Sequence, residues 1–153
     1  MVRYKCRYVL CKVIHDDRKK SFDESDIYFA VRNEVEALHG DYGVSSMKKT
    51  PSLSVKYTDK ESGIVLLKCQ RGLHKLLQSS LPFIKKIKGV PAFLQTIHVG
   101  GTIRSCLKFL ITYHKSRLSS LLKQCTTKEE KEKVKVAILK CCQDTTQMVM
   151  TVQ

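Results

Sequence analysis

Tryptophan is absent from the sequence, proline occurs only three times, and long apolar runs are missing. No run approaches the ~18 apolar residues that a membrane-spanning helix needs. The opening stretch, "MVRYKCRYVLCKV", alternates basic and apolar residues instead of forming the continuous apolar core of a signal peptide. We therefore expect an intracellular, soluble protein.

The seven cysteines lack the spacing of a zinc knuckle or of a disulfide framework. No two of them are separated by two residues, their number is odd, and Cys141 and Cys142 are adjacent. We interpret them as small buried hydrophobic side chains in a reducing compartment.

Acidic residues are absent from residues 81–125, although that stretch holds eight basic ones. Over the whole chain, 28 Lys and Arg stand against 14 Asp and Glu, which gives a formal charge of +14. Such an excess favours an anionic partner such as nucleic acid or an acidic membrane surface. A merely soluble surface would mix its signs.

Apolar spacing predicts the order strand, helix, strand, strand, helix, strand, followed by two more helices. The predicted strands cover 3–14, 52–58, 64–69 and 92–99, and the predicted helices cover 23–40, 73–89 and 103–125, with a last helix from Thr127. Residues 41–51 are predicted as a polar loop. The order is that of an α+β, ferredoxin-like or RRM-like βαββαβ sandwich with two additional C-terminal helices. We predict a single domain over residues 1–142 and a flexible tail over 143–153.

Two details of this pattern concern which side chains are buried. In the first helix, Leu38 is predicted on the buried side together with Ile27, Val31 and Val35. In the second strand, strict alternation places Leu53, Val55 and Tyr57 on one face, and Ser54, Lys56 and Thr58 on the other.

Gly100 and Gly101 lie where the last strand meets the third helix. They either make a tight strand-to-helix turn or let a phosphate approach the unpaired N–H groups of a helix N-terminus. Thr102 would then cap the helix or donate its hydroxyl, and nearby basic residues would add charge. The predicted RNA-binding residues are Gly100, Gly101, Thr102, Arg104, Lys108 and Lys115, together with Lys85, Lys86 and Lys88.

No cluster of carboxylates and no paired acid and base mark a catalytic or metal site. Asp16 and Asp17 are adjacent, but they precede three basic residues in a predicted loop. The five histidines are scattered, and His114 lies on the apolar stripe of the third helix, where we interpret it as a core residue. We predict no catalytic residue, no metal ligand and no cofactor bound by the protein itself.

Four segments resemble the small ferredoxin-like protein subunit shared by eukaryotic ribonuclease P and ribonuclease MRP, which has archaeal relatives. They are "MVRYKCRYVLCKV" at the start, "GIVLLKC" from 63, "LPFI" from 81 and "HVGGTIRSCLKFL" from 98. The resemblance extends to about residue 125, and the glycine-containing block is its most specific part. Carried over to this sequence, it assigns Gly100, Gly101, Thr102 and Arg104 to the RNA backbone, and Ile103 to packing.

The resemblance implies a subunit of a nuclear and nucleolar ribonucleoprotein whose RNA carries Mg²⁺ and the catalysis. That RNA removes the 5′ leader of precursor tRNA, or cleaves precursor ribosomal RNA in the sister particle. The implied partners are ribonuclease P RNA and MRP RNA, a TIM-barrel-like subunit and other protein subunits. Precursor tRNA is expected nearby or in indirect contact, and no membrane contact is expected. Two alternatives stay open: a small acyl-phosphatase-like enzyme that holds phosphate at Gly100–Arg104, and a basic protein-interaction module.

Overall fold

Five antiparallel strands form one sheet in the computed structural model, in the order β2-β3-β1-β5-β4. The structure describes residues 5–16, 21–48, 53–60 and 62–124, and the positions 132, 136 and 139. Its elements are β1 (Cys6–His15), α1 (Glu24–Lys48), β2 (Leu53–Thr58), β3 (Ile64–Gln70), α2 (His74–Ser80), a 3-10 turn (Leu81–Phe83), β4 (Lys86–Ile87), β5 (Val90–Gly100) and α3 (Ile103–Gln124).

The chain divides into two compact units, residues 1–102 and residues 103–153. The sheet, α1 and α2 belong to the first unit, and α3 belongs to the second. The last predicted helix lies largely outside the described residues, and the tail lies wholly outside them. The predicted extent of a single domain over 1–142 stays a prediction.

The ferredoxin-like order is confirmed, because removing the short β4 leaves β1-α1-β2-β3-α2-β5 with β3 and β1 in the centre. β1 pairs with β3 along one edge and with β5 along the other, so it lies inside the sheet, and Val9, Leu10 and Cys11 are buried on both of its faces. α1 and α2 pack against each other and against strands of the sheet. Their buried residues, including Ile27, Val31, Val35 and Leu77, join Val9, Cys11, Val65, Leu67 and Leu94 in one core.

α1 is longer than the sequence predicts. Gly40 interrupts it with φ 58° and ψ −155°, but the helix resumes and ends only at Lys48, so the predicted polar loop over 41–51 is wrong for its described part. Gly43 lies so close to the first segment that a Cβ there would be 2.7 Å from the Cβ of His39. Val44 is buried, whereas Leu38 is 43% exposed, contrary to its predicted position on the buried side.

The predicted helix over 73–89 is wrong beyond Ser80. Pro82 lies in the 3-10 turn that ends the helix, and residues 86–100 form the β4–β5 hairpin. The hairpin turn is made by Lys88 and Gly89, both with positive φ. Ile84 and Ile87 are buried, so their apolar character reflects packing against the core and not a helical period.

The alternation predicted for the second strand is wrong at its end. The pairing of β2 with β3 shifts between Val55 and Tyr57, so that Tyr57 pairs with Leu66 and Thr58 with Val65. A shift of this kind transfers side chains to the opposite face of the sheet. Thr58 therefore shares the face of Leu53 and Val55, and Tyr57 takes the other face.

α3 begins and ends almost as predicted, over Ile103–Gln124. Cys106, Leu107, Leu110 and His114 are its buried residues in the part whose side chains are described, and this confirms His114 as a buried histidine. None of the helices in the described ranges combines the length and the apolar character that crossing a membrane requires.

Candidate nucleic-acid interface

Basic residues gather at one end of the sheet. Because β1 is antiparallel to both neighbours, its start meets the ends of β3 and β5, with Cys6 opposite Gln70 and Tyr8 opposite Gly100. We call this the basic end, and define it by Lys5, Arg7, Lys68, Arg71 and Lys75. The strand register thus brings together cations that are far apart in the sequence.

The pKa of His74, the first residue of α2, depends on three of these cations. Burial, and then the positive charges of Arg7, Lys75 and Arg71, lower the pKa of its imidazole below the usual 6.5. The Arg71 N–H also donates a hydrogen bond to the Lys5 carbonyl at 2.8 Å, which fixes the two chain segments side by side. Three cations therefore act on one imidazole ring.

Arg7 reaches the paired glycines. Its Nη1 lies 3.1 Å from the position that a Cβ on Gly101 would occupy. Neither Gly100 nor Gly101 is among the glycines with positive φ, so a left-handed turn does not explain the pair. The missing side chain at Gly101 instead leaves room for the Arg7 guanidinium.

Several carboxylates lie at the opposite end of the sheet. Asp16 follows β1, Asp59 follows β2, and Asp23 precedes α1. Lys60 in the β2–β3 hairpin lies 2.8 Å from Asp23, and its hydrogen bond and charge lower the pKa of that carboxyl. From Ser62 to Lys128, by contrast, the chain contains no Asp or Glu. Lys60 and the lysines of the β4–β5 hairpin lie at this end as well, so its charges are of mixed sign.

The structure separates the predicted lysines from the glycine pair. Lys85, Lys86 and Lys88 are exposed, and they lie in or next to the β4–β5 hairpin instead of on a helix. That hairpin is at the start of β5, whereas Gly100 is at its end, about 30 Å away for a strand of this length. Lys88 also forms an ion pair with Asp26 of α1, with 3.2 Å between Nζ and Oδ2.

Arg104, Lys108 and Lys115 are all exposed on α3. Helical geometry places them within about 40° of one another around the axis. α3 therefore offers a continuous positive edge in the second unit, as the sequence predicts. Their role, like that of Thr102, stays a prediction.

The sequence pattern did not indicate Arg71 and Lys75, because the strand register, and not the local sequence, brings them and Arg7 close to His74. The available signal was the row of basic residues Lys5 and Arg7 on one parity of the first strand. Combined with the predicted antiparallel order, that row points to the ends of β3 and β5.

The described cysteines behave as buried hydrophobic residues. Burial raises the pKa of both the Cys11 and the Cys69 thiol to about 12, so both stay protonated and uncharged at neutral pH. Cys106 is also buried, and Cys6 is partly so. In the described ranges, no three His, Cys, Asp or Glu side chains are grouped so that they could hold a metal ion.

Comparison of the sequence with known proteins identifies a family that it matches. The model of the Rpp14/Pop5 family matches residues 7–111. The chain is 40% identical over 147 residues to "Ribonuclease P/MRP protein subunit POP5" of Danio rerio, covering 92% of this chain and 87% of that protein. It is 37% identical over 148 residues to the Homo sapiens protein of the same name, covering 93% and 90%.

One more distant relative and one solved structure are also similar to this chain. "Ribonuclease P protein component 2" of Methanocaldococcus jannaschii is 34% identical over 110 residues, covering 71% of this chain and 75% of that protein. A chain in the cryo-EM structure of yeast ribonuclease MRP matches the fold with a TM-score of 0.50 at 10% identity, over 78% of this chain and 98% of that one. With the family model matching most of its length, the chain belongs to the Rpp14/Pop5 family.

Proposed function

We propose that this chain is a non-catalytic, RNA-binding subunit of ribonuclease P and ribonuclease MRP. One observation carries the proposal: relatives named as subunits of both enzymes are 37–40% identical over more than nine-tenths of the chain. In the particle the chain supports an RNA that removes the 5′ leader of precursor tRNA, or that processes precursor ribosomal RNA. The nucleus, and within it the nucleolus, is the expected location.

The charge distribution supports an RNA-bracing role. Phosphates of a folded RNA repel one another, and cations fixed on a rigid sheet or helix offset that repulsion where two RNA segments meet. The basic end of the first unit and the positive edge of α3 in the second supply such cations. The RNA carries the catalytic Mg²⁺ and the chemistry, and the protein positions the RNA backbone.

α1 supports contact with a protein partner. Leu38 and Tyr42 are exposed on it, and Glu36 and Asp41, which are close to them in the sequence, are exposed as well. Exposed apolar side chains rimmed by charge are typical of protein interfaces. We assign this helix to the protein subunits of the particle, of which the TIM-barrel-like subunit is the leading candidate. Precursor tRNA lies nearby or in indirect contact.

The proposal is tested by native capture of the tagged chain, followed by a cleavage assay with precursor tRNA. The eluate should release the 5′ leader, and micrococcal nuclease, which destroys RNA, should abolish that cleavage. Recombinant chain alone should neither cleave precursor tRNA nor hydrolyse an acyl phosphate. Cleavage that survives nuclease treatment would contradict catalysis by RNA, and acyl-phosphate turnover by the isolated chain would favour the phosphatase alternative.

A further inference from the structure

We propose that Arg7, seated against Gly101, forms a binding site for the RNA phosphate backbone together with Arg71 and Lys75. The site lies within residues 1–102, at the basic end of the sheet. It rests on the proposed function, because it names the protein surface on which the particle RNA is held.

Among the residues that the structure describes, the cations of this site have no carboxylate partner. In the described ranges, the ion pairs of the first unit join Lys60 to Asp23 and Lys88 to Asp26, and no carboxylate is paired with Arg7, Arg71 or Lys75. Cations that act together on His74 repel one another, which is unfavourable unless an anion neutralises them. A polyanion such as RNA supplies that neutralisation and releases counterions when it binds.

The geometry of Arg7 suits a phosphate. Its side chain is half-buried, and its guanidinium lies in the space that Gly101 leaves open. The planar donors of a guanidinium match two phosphate oxygens. Arg71 and Lys75 are exposed, so the phosphate backbone of an RNA can approach them from solvent.

His74 adds a neutral donor to the site. Its Nδ1 accepts a hydrogen bond from the Gly72 N–H at 3.2 Å, so in the neutral ring the proton is on Nε2. That Nε2–H can donate to a phosphate oxygen without adding a charge to the cluster. A bound phosphate would also favour the protonated ring, so RNA should raise the pKa of His74.

Gly101 acts in this site by leaving room for Arg7, not by exposing its own backbone to phosphate. The two roles differ in their coupling to Arg7. If Gly101 only makes space for Arg7, Gly101→Val should cause no further loss of RNA affinity in a chain whose Arg7 is already replaced. If its backbone N–H contacts phosphate directly, the two losses should add.

The test measures affinity of the full chain for transcribed ribonuclease P RNA over a series of KCl concentrations. Arg7→Ala should weaken binding by roughly tenfold, the loss expected for a charge-assisted hydrogen bond, and lower the salt slope by about one. Lys56→Ala removes the same charge from an exposed position on β2 and should leave the slope unchanged. Gly101→Val should weaken binding as Arg7→Ala does, and the double variant should bind no more weakly than either.

A paired replacement guards against misfolding of the Arg7 variant. Arg71→Ala with Lys75→Ala alters only exposed side chains and should lower the salt slope by about two. Equal salt slopes for wild type, Arg7→Ala and the Arg71→Ala, Lys75→Ala variant would overturn the site. This holds even if the chain captured from cells still carries particle RNA. Failure of the wild type to bind that RNA would instead overturn the proposed function.

Discussion

The Lys88 ammonium lies 3.2 Å from the Asp26 carboxylate, and this ion pair joins the β4–β5 turn to the first turns of α1. The Lys88 side chain is 66% exposed, whereas that of Asp26 is only 16% exposed. An ion pair at such a surface stabilises a protein by about 0–1 kcal/mol. Lys88 is therefore engaged within the protein at a distance from the basic end.

Replacement of Lys88 should consequently affect folding slightly and RNA affinity little. We expect Lys88→Ala to lower the free energy of unfolding by less than about 1 kcal/mol. The salt slope of RNA binding should stay at the wild-type value, because this lysine is already neutralised by Asp26. Urea unfolding measures the change in stability, and RNA titration at several salt concentrations measures the salt slope. A salt slope lowered by a full unit in Lys88→Ala would indicate that Lys88 does contact RNA.

The positive edge of α3 gives a second prediction. Arg104→Glu with Lys108→Glu should weaken RNA association and lower its salt slope by about one for each lost phosphate contact. Arg117→Glu is the matched control, because Arg117 is exposed on the same helix but points about 140° away from Arg104. An equal loss of affinity per reversed charge in the control would indicate general attraction to RNA and not a defined edge.

The pKa of His74 gives a third prediction. Arg7→Ala should raise that pKa towards 6.5, because the Arg7 charge is the largest electrostatic contribution that lowers it after burial. An NMR titration of the imidazole resonances measures the shift, and Lys56→Ala should not cause it. An unchanged pKa in Arg7→Ala would contradict the close approach of Arg7 to α2.

The sign of the accompanying stability change follows from linkage. With its pKa lowered in the folded chain, His74 takes up a proton more readily when unfolded. Its contribution to stability is therefore fully present above pH 6.5 and decreases as the pH falls through the folded pKa. Arg7→Ala should reduce this pH dependence, which urea unfolding at several pH values can follow.

The second segment of α1 gives a fourth prediction. Gly43→Ala should destabilise the fold by about 1–3 kcal/mol, because the new Cβ would meet the His39 Cβ and the Val35 Cγ1 at 2.7 and 2.9 Å. Asp41→Ala, at an exposed position of the same segment, should have little effect. Equal stability of the two variants would contradict the packing of residues 41–48 against the first segment.

Local pattern was sufficient to predict β1, a long segment with consecutive apolar residues at its centre, and α3, whose helical apolar period is unbroken. It failed at Ile84 and Ile87, whose spacing suits a helix but arises from an extended segment and a short edge strand that both face the core. It also failed after Gly40, where the buried Val44, the partly buried Met47 and the close-packed Gly43 hold a polar stretch in a helix.

The candidate site was only partly predictable for a different reason. The glycine pair and the α3 cations are neighbours in the chain, so their pattern is visible in the sequence. The approach of Arg7 to Gly101 depends on the pairing of β1 with β5, which a local pattern does not contain. The structure therefore adds Arg7, Arg71 and Lys75 to the candidate surface.

Sequencing the RNA that is captured from cells with the tagged chain measures most directly whether the chain holds the RNA of ribonuclease P and ribonuclease MRP. We expect one or two abundant structured RNAs, those of the two particles, enriched far above their share of total RNA. Recovery of a diffuse mixture, or of no RNA, would contradict this expectation.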